Sequence, residues 1–283
     1  MAMADESYVV LLGDRRYAVH RHWARLPAGE SFGFISDVMV DRRGRVHVAQ
    51  RGTDRPVLVF DQGGRLEGTW GEGQLAEPHY INLAPDGSIL VADRDAHQIL
   101  RFDDNGRLLQ ALGNRHWPSL AAPFNHPTAA AQASDGEIYV ADGYGNSNVH
   151  RFAADGTLIA SWGAPGRGPG AFTTPHAIAI DRSGRVLVGD RENNRVQLFD
   201  RTGVFLGEWT DFYHPMQIWI DDRDMVFVTD QIPRISLLSP EGRLVGRCRG
   251  AINGAHGLSG DAAGNLYMAE LPPQEITKLE RLN

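Results

Sequence analysis

In this chain of 283 residues, the side chains whose types and spacing could do chemistry together are His79, His176 and His256, with Tyr144 and three arginines, Arg51, Arg94 and Arg191. Each of the three histidines stands eight residues before a turn glycine, Gly87, Gly184 or Gly264. The equivalent positions ahead of Gly44, Gly136 and the turn residue Asp224 are Ser36, Thr128 and Met216. Histidine therefore falls on the second, fourth and sixth members of a series of six and on none of the others. With 11 histidines in 283 residues, this alternation is not a chance pattern. Alternate members of a closed six-fold ring face its axis about 120 degrees apart. Three imidazoles meeting there make a metal site with open coordination positions, suited to zinc or another divalent transition metal. His97, His116, His126, His150 and His214 lack this symmetry and read as surface or loop residues.

A second set of positions closes the strand that follows each turn. Here the six units read AQRG, ADRD, ADGY, GDRE, TDQI and AELP, which supply Arg51, Asp93 with Arg94, Asp142 with Tyr144, Asp190 with Arg191, Asp230 with Gln231, and Glu270. An aspartate that recurs with and without histidine reads as an acceptor of backbone N–H groups in its loop. Arg51, Arg94, Arg191 and Tyr144 break the repeat. Guanidinium groups grip a carboxylate through paired hydrogen bonds, so a small anionic substrate is expected. Positive charge around a phenol favours its phenolate form, which makes Tyr144 a candidate general base. The alternative is that the rim arginines only pair with the loop aspartates.

These side chains need elements to carry them. Residues 172–194 (FTTPHAIAIDRSGRVLVGDRENN) hold two short β-branched runs, 177–180 and 186–188, joined by the turn Asp181-Arg182-Ser183-Gly184, the pattern of a β-hairpin. A hairpin returns the chain to its start, so His176 and Arg191 belong at one end. The aligned turns recur at spacings of 43, 49, 48, 40 and 40 residues, a period of propellers and arrays. Each unit has four short strands linked by turns, which is a propeller blade. The fold class expected is all-β, a six-bladed β-propeller of four-stranded blades forming one domain over 1–283. The last unit stops one strand short, and residues 17–24 (YAVHRHWA), after an N-terminal extension of about 1–16, are expected to supply it and close the ring. The segment 163–170 (GAPGRGPG) is either a lid beside the site or an ordinary inter-blade connection.

Composition sets outer bounds. Apolar residues make up 42% and suffice for a core, yet no run of eighteen of them occurs, so no membrane span is expected. MAMADESYVV does not read as a secretory signal. Cys248 is the single cysteine, which excludes an internal disulfide framework and suggests a reducing, cytoplasmic setting. The net charge of −7 argues against nucleic acid as a partner.

The blades resemble NHL repeats. From 77 to 279 the order of motifs also resembles the catalytic core of peptidyl-α-hydroxyglycine α-amidating lyase. The segments that carry this resemblance are PHYINLAPDG with VADRDAHQILRF, ADGYGNSNVHRF, FTTPHAIAI with GDRENNRVQLF, and AHGLSGDAAGNLYMAE. The resemblance implies that His79, His176 and His256 are zinc ligands, Tyr144 the catalytic tyrosine, and Arg51 and Arg191 active-site arginines. It implies cleavage of a carbinolamide C–N bond to an amide and glyoxylate, without a redox cofactor. Three positions depart from the family pattern. Gly257 stands where the family has an Asp calcium ligand; Val38 and Ile81 match the backbone-carbonyl calcium positions but lack that charged partner, so a central calcium (Ca2+) is not expected. Gly145 and Leu187 replace cysteines. Arg94 replaces an apolar residue, which favours a small carbinolamide or α-hydroxy acid over a peptide in an intracellular, bacterial-type chain. Two other functions share the frame: a metal-dependent lactone or ester hydrolase, which usually takes carboxylate and Asn ligands to a calcium-like metal, and a non-enzymatic NHL binding module.

Overall fold

The alternating β-branched runs form strands because each ends at a turn that its sequence specifies. In the first unit, Asp41 Oδ1 accepts the backbone N–H groups of Arg43 and Arg45 at 2.8 and 2.9 Å, and Gly44, at φ +78°, lets the chain reverse. The fifth unit has Asp224 at the glycine position, at φ +58°, a conformation that Asp tolerates better than most residues.

The computed structural model describes residues 8–120, 122–251, 253–271 and 273–282. They build an all-β six-bladed propeller whose blades are antiparallel sheets in sequence order. The innermost strands, blade by blade, are Phe34–Val40, Pro78–Leu83, Ala129–Gln132, Pro175–Ile180, Pro215–Ile220 and Ala255–Gly260. Each pairs with a second strand that is buried along nearly its whole length: Val46–Arg51, Ile89–Asp93, Ile138–Asp142, Val186–Asp190, Val226–Asp230 and Leu266–Glu270. The outer strands alternate, as in Phe205–Trp209, because one face packs inward and the other meets water. Apolar clusters fill the wedges between neighbouring blades; Tyr139, Val149, Phe172, Val186 and Phe199 form one of them.

Closure differs in detail from the expected 17–24 strand. Arg15–His20 pairs antiparallel with Glu275–Leu282, with Arg16 opposite Leu282 and His20 opposite Lys278. Val9–Leu12, within the stretch expected to be an extension, pairs in turn with Arg15–His20 and gives the sixth blade five strands. The reason is a two-residue turn at Gly13-Asp14, with Gly13 at φ +67°, which folds the apolar run back on itself. Among the described residues no helix is long and apolar enough to cross a membrane.

Candidate active site

Each histidine sits at a break in strand register. Pro175 pairs with Asp190 and Ala177 with Gly189, leaving His176 as an extra residue; Ala255 with Glu270 and Gly257 with Ala269 do the same for His256. On the second blade the register slips between Pro78 and Ile81, across His79. A bulge turns one side chain out of the normal alternation, here toward the axis. The approach to each strand is held by the recurring aspartate. Buried Asp93 accepts the N–H groups of Ala76 and Glu77 at 2.9 and 2.7 Å, Asp190 that of Thr173 at 2.8 Å, and Asp142 that of Asn125 at 3.1 Å.

A second repeated bond ties the rim to the histidine strands. The N–H of Arg94 donates to Glu77 O, that of Tyr144 to His126 O, and that of Arg191 to Thr174 O, at 3.0, 3.3 and 3.1 Å. His176 and Arg191 thus share one end of the hairpin. Tyr144 lies between two glycines that the packing requires. A Cβ on Gly143 would stand 1.9 Å from Pro175 O, and one on Gly145 would stand 2.4 Å from the Asn125 side chain. A cysteine at 145 would have to displace Asn125.

The three imidazoles are buried, with ligand atoms within 4.8 Å of one another and rings nearly perpendicular, at 82–89°. Each donates Nδ1–H to a carbonyl at the equivalent position of the next blade: His79 to Thr128 O at 2.7 Å, His176 to Met216 O at 2.9 Å, and His256 to Ser36 O at 2.5 Å. Fixing the proton on Nδ1 leaves the Nε2 lone pair for a ligand. The odd blades answer in kind. Ser36 Oγ donates to Pro78 O at 2.7 Å and Thr128 Oγ1 to Pro175 O at 2.8 Å, each holding the residue just before the next histidine. Met216 has no such hydroxyl, and Tyr80 reaches across the axis in its place. Its hydroxyl donates to Met216 O at 2.6 Å and lies 2.9 Å from His256 O and 3.2 Å from His176 Nδ1.

Burial holds all three imidazoles below their ordinary range, helped for His79 and His176 by neighbouring imidazole charge; His256 is brought down to about 3. They are neutral near neutral pH, the state a metal ligand needs. Three neutral nitrogens, each oriented by a carbonyl behind it, fit a divalent transition metal.

Tyr144 lies over this triad, half-exposed. Its hydroxyl is 3.0 Å from both His79 Nε2 and His176 Nε2, and Arg191 Nη1 donates to it at 3.4 Å. Arg94 and Arg191 both stand over its ring, at 5.8 and 5.5 Å. The arginines also pair with acids on the rim: Arg191 with Glu192 at 2.7 Å, Arg94 with Asp95 at 2.6 Å and Glu77 at 3.8 Å, and Arg51 with Glu77 at 4.0 Å. Arg51 packs on the Phe34 ring at 4.4 Å, and its buried Nε has no hydrogen-bond partner. Burial, and then the like charge of Arg94, lower its affinity for its proton.

Val38 and Ile81 lie beside the axis, lining a cavity of about 600 Å³ at the other mouth of the central channel. Of the histidines expected at the surface or in loops, His97 lies in a loop but is buried, and His150 lies buried on the strand Asn148–Phe152. His150 Nε2 meets Asp142 Oδ2 at 3.2 Å, and His97 Nδ1 accepts His126 N–H at 3.1 Å; both brace the loop that carries Tyr144. The segment 163–170 is an inter-blade connection tied down by its neighbours: Gly166 O accepts Asn193, Gly168 O accepts Arg195, and Gly170 N–H donates to Gln197. Tyr80 went unnoticed in the sequence. Its signal is bulk at a position where the other alternate blades have Ala177 and Gly257.

The NHL repeat model matches residues 124–152 and 172–199. A mouse relative, NHL repeat-containing protein 3, is 30% identical over 263 residues, 83% of this chain and 76% of its own length. A probable peptidyl-alpha-hydroxyglycine alpha-amidating lyase of Caenorhabditis elegans is 28% identical over 249 residues, 81% of this chain and 71% of its own. Among solved structures, a streptogramin B lyase superposes with a TM-score of 0.68 over 96% of this chain and 100% of that one; at 14% identity this is a likeness of fold.

Proposed function

This chain belongs to the family of NHL repeat-containing proteins, and we propose that it is a metal-dependent lyase cleaving the C–N bond of a small, carboxylate-bearing carbinolamide of the α-hydroxyglycine type. The observation that carries this reading is the Tyr144 hydroxyl, 3.0 Å from two histidine Nε2 atoms and within reach of Arg191. A relative named as an amidating lyase supports the same reaction class. A divalent transition metal on the three Nε2 atoms would supply Lewis acidity toward the substrate's oxygens. The rest is done by the chain itself. Arg191 and Arg51 exchange their rim acids for the substrate carboxylate and hold it against the site. Tyr144 takes the proton of the substrate hydroxyl, and that O–H electron pair becomes the second bond of the new carbonyl. The C–N bond breaks, its electron pair stays on nitrogen, and the proton on Tyr144 passes to that nitrogen, giving an amide and glyoxylate. No electron is gained or lost overall. Arg94, standing over the tyrosine ring, adds a third positive charge and favours a compact acidic substrate. Three imidazoles, rather than carboxylates and Asn, separate this site from a hard-metal lactone hydrolase on the same frame.

The test joins metal content with product release. Purified protein is expected to hold about one transition-metal equivalent per chain, lost in His176→Ala. It should release glyoxylate from an α-hydroxyglycine amide. Tyr144→Phe should keep the metal and lose roughly 10²–10⁴-fold in rate. A wild-type protein without metal overturns the reading; full activity in Tyr144→Phe removes that residue from its role.

A further inference from the structure

Behind the rim pair of Arg191 and Glu192 stands an imidazole that the reaction proposed above leaves unused. Glu192 Oε1 accepts Arg191 Nε and lies 2.7 Å from its Nη2, while Glu192 Oε2 faces His214 Nε2 at 3.4 Å. His214 belongs to the loop before the fifth blade's innermost strand, and three neighbours fix it. Its N–H donates to Asn194 Oδ1 at 2.8 Å, its ring stacks on Tyr213 at 4.5 Å and 7°, and its Nδ1–H donates to Gln231 Oε1 at 2.9 Å. Gln231 is the fifth blade's counterpart of Arg191. With Nδ1–H given to an oxygen that only accepts, Nε2 can donate toward Glu192 only on a ring that carries a second proton.

The same unit is built on the other side of Tyr144. Arg94 pairs with Asp95 through Nε and Nη2 at 2.6 and 3.1 Å. His126 stands two residues before Thr128 as His214 stands two before Met216, and its N–H donates to His97, which occupies the position of Asn194. Arg94, with His126 adding to it, holds Asp95 below the ordinary carboxylate range. Two copies of arginine, acid and imidazole thus flank one tyrosine, with both guanidiniums over its ring.

We propose, resting on the carboxylate-binding role given to Arg191 above, that Glu192 is an internal counter-ion that holds Arg191 until an anionic substrate arrives, and that His214 is the positioning residue that then takes it over. One edge of a guanidinium grips one carboxylate at a time, so Glu192 must turn away for the substrate to be held. A protonated His214 on the far side of Glu192 compensates the acid's charge once Arg191 has released it. A neutral ring, with its lone pair toward the carboxylate, does not. Among the described residues, the charged side chains facing His214 are Glu192 and, behind it, Arg191; Asn194, Gln231 and the Tyr213 ring complete its surroundings. Imidazoles change charge between about pH 5 and 8, so the hold on anions should strengthen as pH falls through that range.

The test reads anion binding rather than turnover. Full-length protein loaded with Zn2+ is titrated with glyoxylate by calorimetry at about pH 6 and about pH 8.5. At the lower pH, His214→Gln should bind about two- to fivefold more weakly than the wild type, as expected for a partly exposed ion pair, and at the higher pH the two should agree. His214→Lys, charged throughout, should keep the advantage over His214→Gln at both. Glu192→Gln should bind more tightly than the wild type at the higher pH, and adding His214→Gln to it should change nothing further. Opposite signs for two neighbours, and the loss of one effect when the other partner is gone, are not what a merely structural role would give. Glyoxylate that does not bind, or that binds equally to Arg191→Ala, overturns the role of Arg191 and this inference with it. Binding that needs Arg191, yet is the same in His214→Gln and Glu192→Gln as in the wild type, overturns this inference alone.

Discussion

An imidazole taken out of water and held neutral makes stability depend on pH. For His256 the folded-state value lies at about 3, chiefly through burial, below an unfolded value near 6.5. Below about pH 6.5 the unfolded chain takes up protons that the folded chain refuses, so the stabilisation present above that pH is lost as pH falls toward 3. His79 and His176 shift in the same direction. The metal-free protein should therefore melt at progressively lower temperature from neutral pH to about pH 4. Replacing all three histidines by Gln should flatten that dependence; an unchanged slope in the triple variant would place the acid sensitivity elsewhere. At this scale, period carried most of the information. His79, His176 and His256 were legible because a repeat assigns them equivalent positions. Tyr80 was not, since what it does depends on atoms across the axis, Met216 O and His256 O.

The hairpin Pro175–Ile180 with Val186–Asp190 shows how one strand end serves two sets of residues. Asp190 accepts Thr173 N–H and the side chains of Asn193, Arg195 and Gln197 at 2.8–3.0 Å. Thr173 and Thr174 in turn accept the N–H groups of Glu192 and Arg191. Thr174 sits at φ +61°, a conformation that costs a β-branched residue and persists only where its surroundings impose it. Asp190→Ala would take from the buried Arg195 guanidinium its buried acid at 2.8 Å, leaving the half-exposed Glu208 at 2.7 Å, and would release the turn before His176. A loss of about 3–5 kcal/mol is expected from breaking such a buried pair, together with weaker metal binding. Denaturant melts with and without Zn2+ separate the two effects. A variant as stable as the wild type would show that Asp190 does not hold the loop. The recurrence of this aspartate could be read from sequence. The register slips that turn the histidines inward could not, because a bulge is set by pairing partners that lie ten or more residues away.

A ring of blades has one seam, and here the N-terminal strands cover it. Leu12, Tyr17 and Val19 are buried in one cluster with Phe227 and Leu237 of the fifth blade and Leu258, Leu266 and Met268 of the sixth. Arg15 reaches Asp221 of the fifth blade at 3.1 Å, and His22 pairs with Glu275 of the sixth. The seam therefore packs two blades rather than merely completing one sheet, which is why the pairing extends back to Val9, beyond the strand the repeat called for. Burying those three side chains contributes about 5–9 kcal/mol, comparable to the whole stability of many domains, about 5–15 kcal/mol. Deleting residues 1–20 should lower the melting temperature by about 10 °C or more. It should also weaken metal binding, since His256 stands on the innermost strand of the same sheet while His79 and His176 stand on intact blades. Tyr17→Ala, which keeps the strand and removes the largest side chain of the seam, should cost about 3–5 kcal/mol with a smaller effect on metal. The two variants, compared by melting and Zn2+ titration, separate strand pairing from packing. If the truncated chain melts within about 2 °C of the full one, closure by the N-terminal strands does not hold the ring, and the contacts between the first and sixth blades suffice.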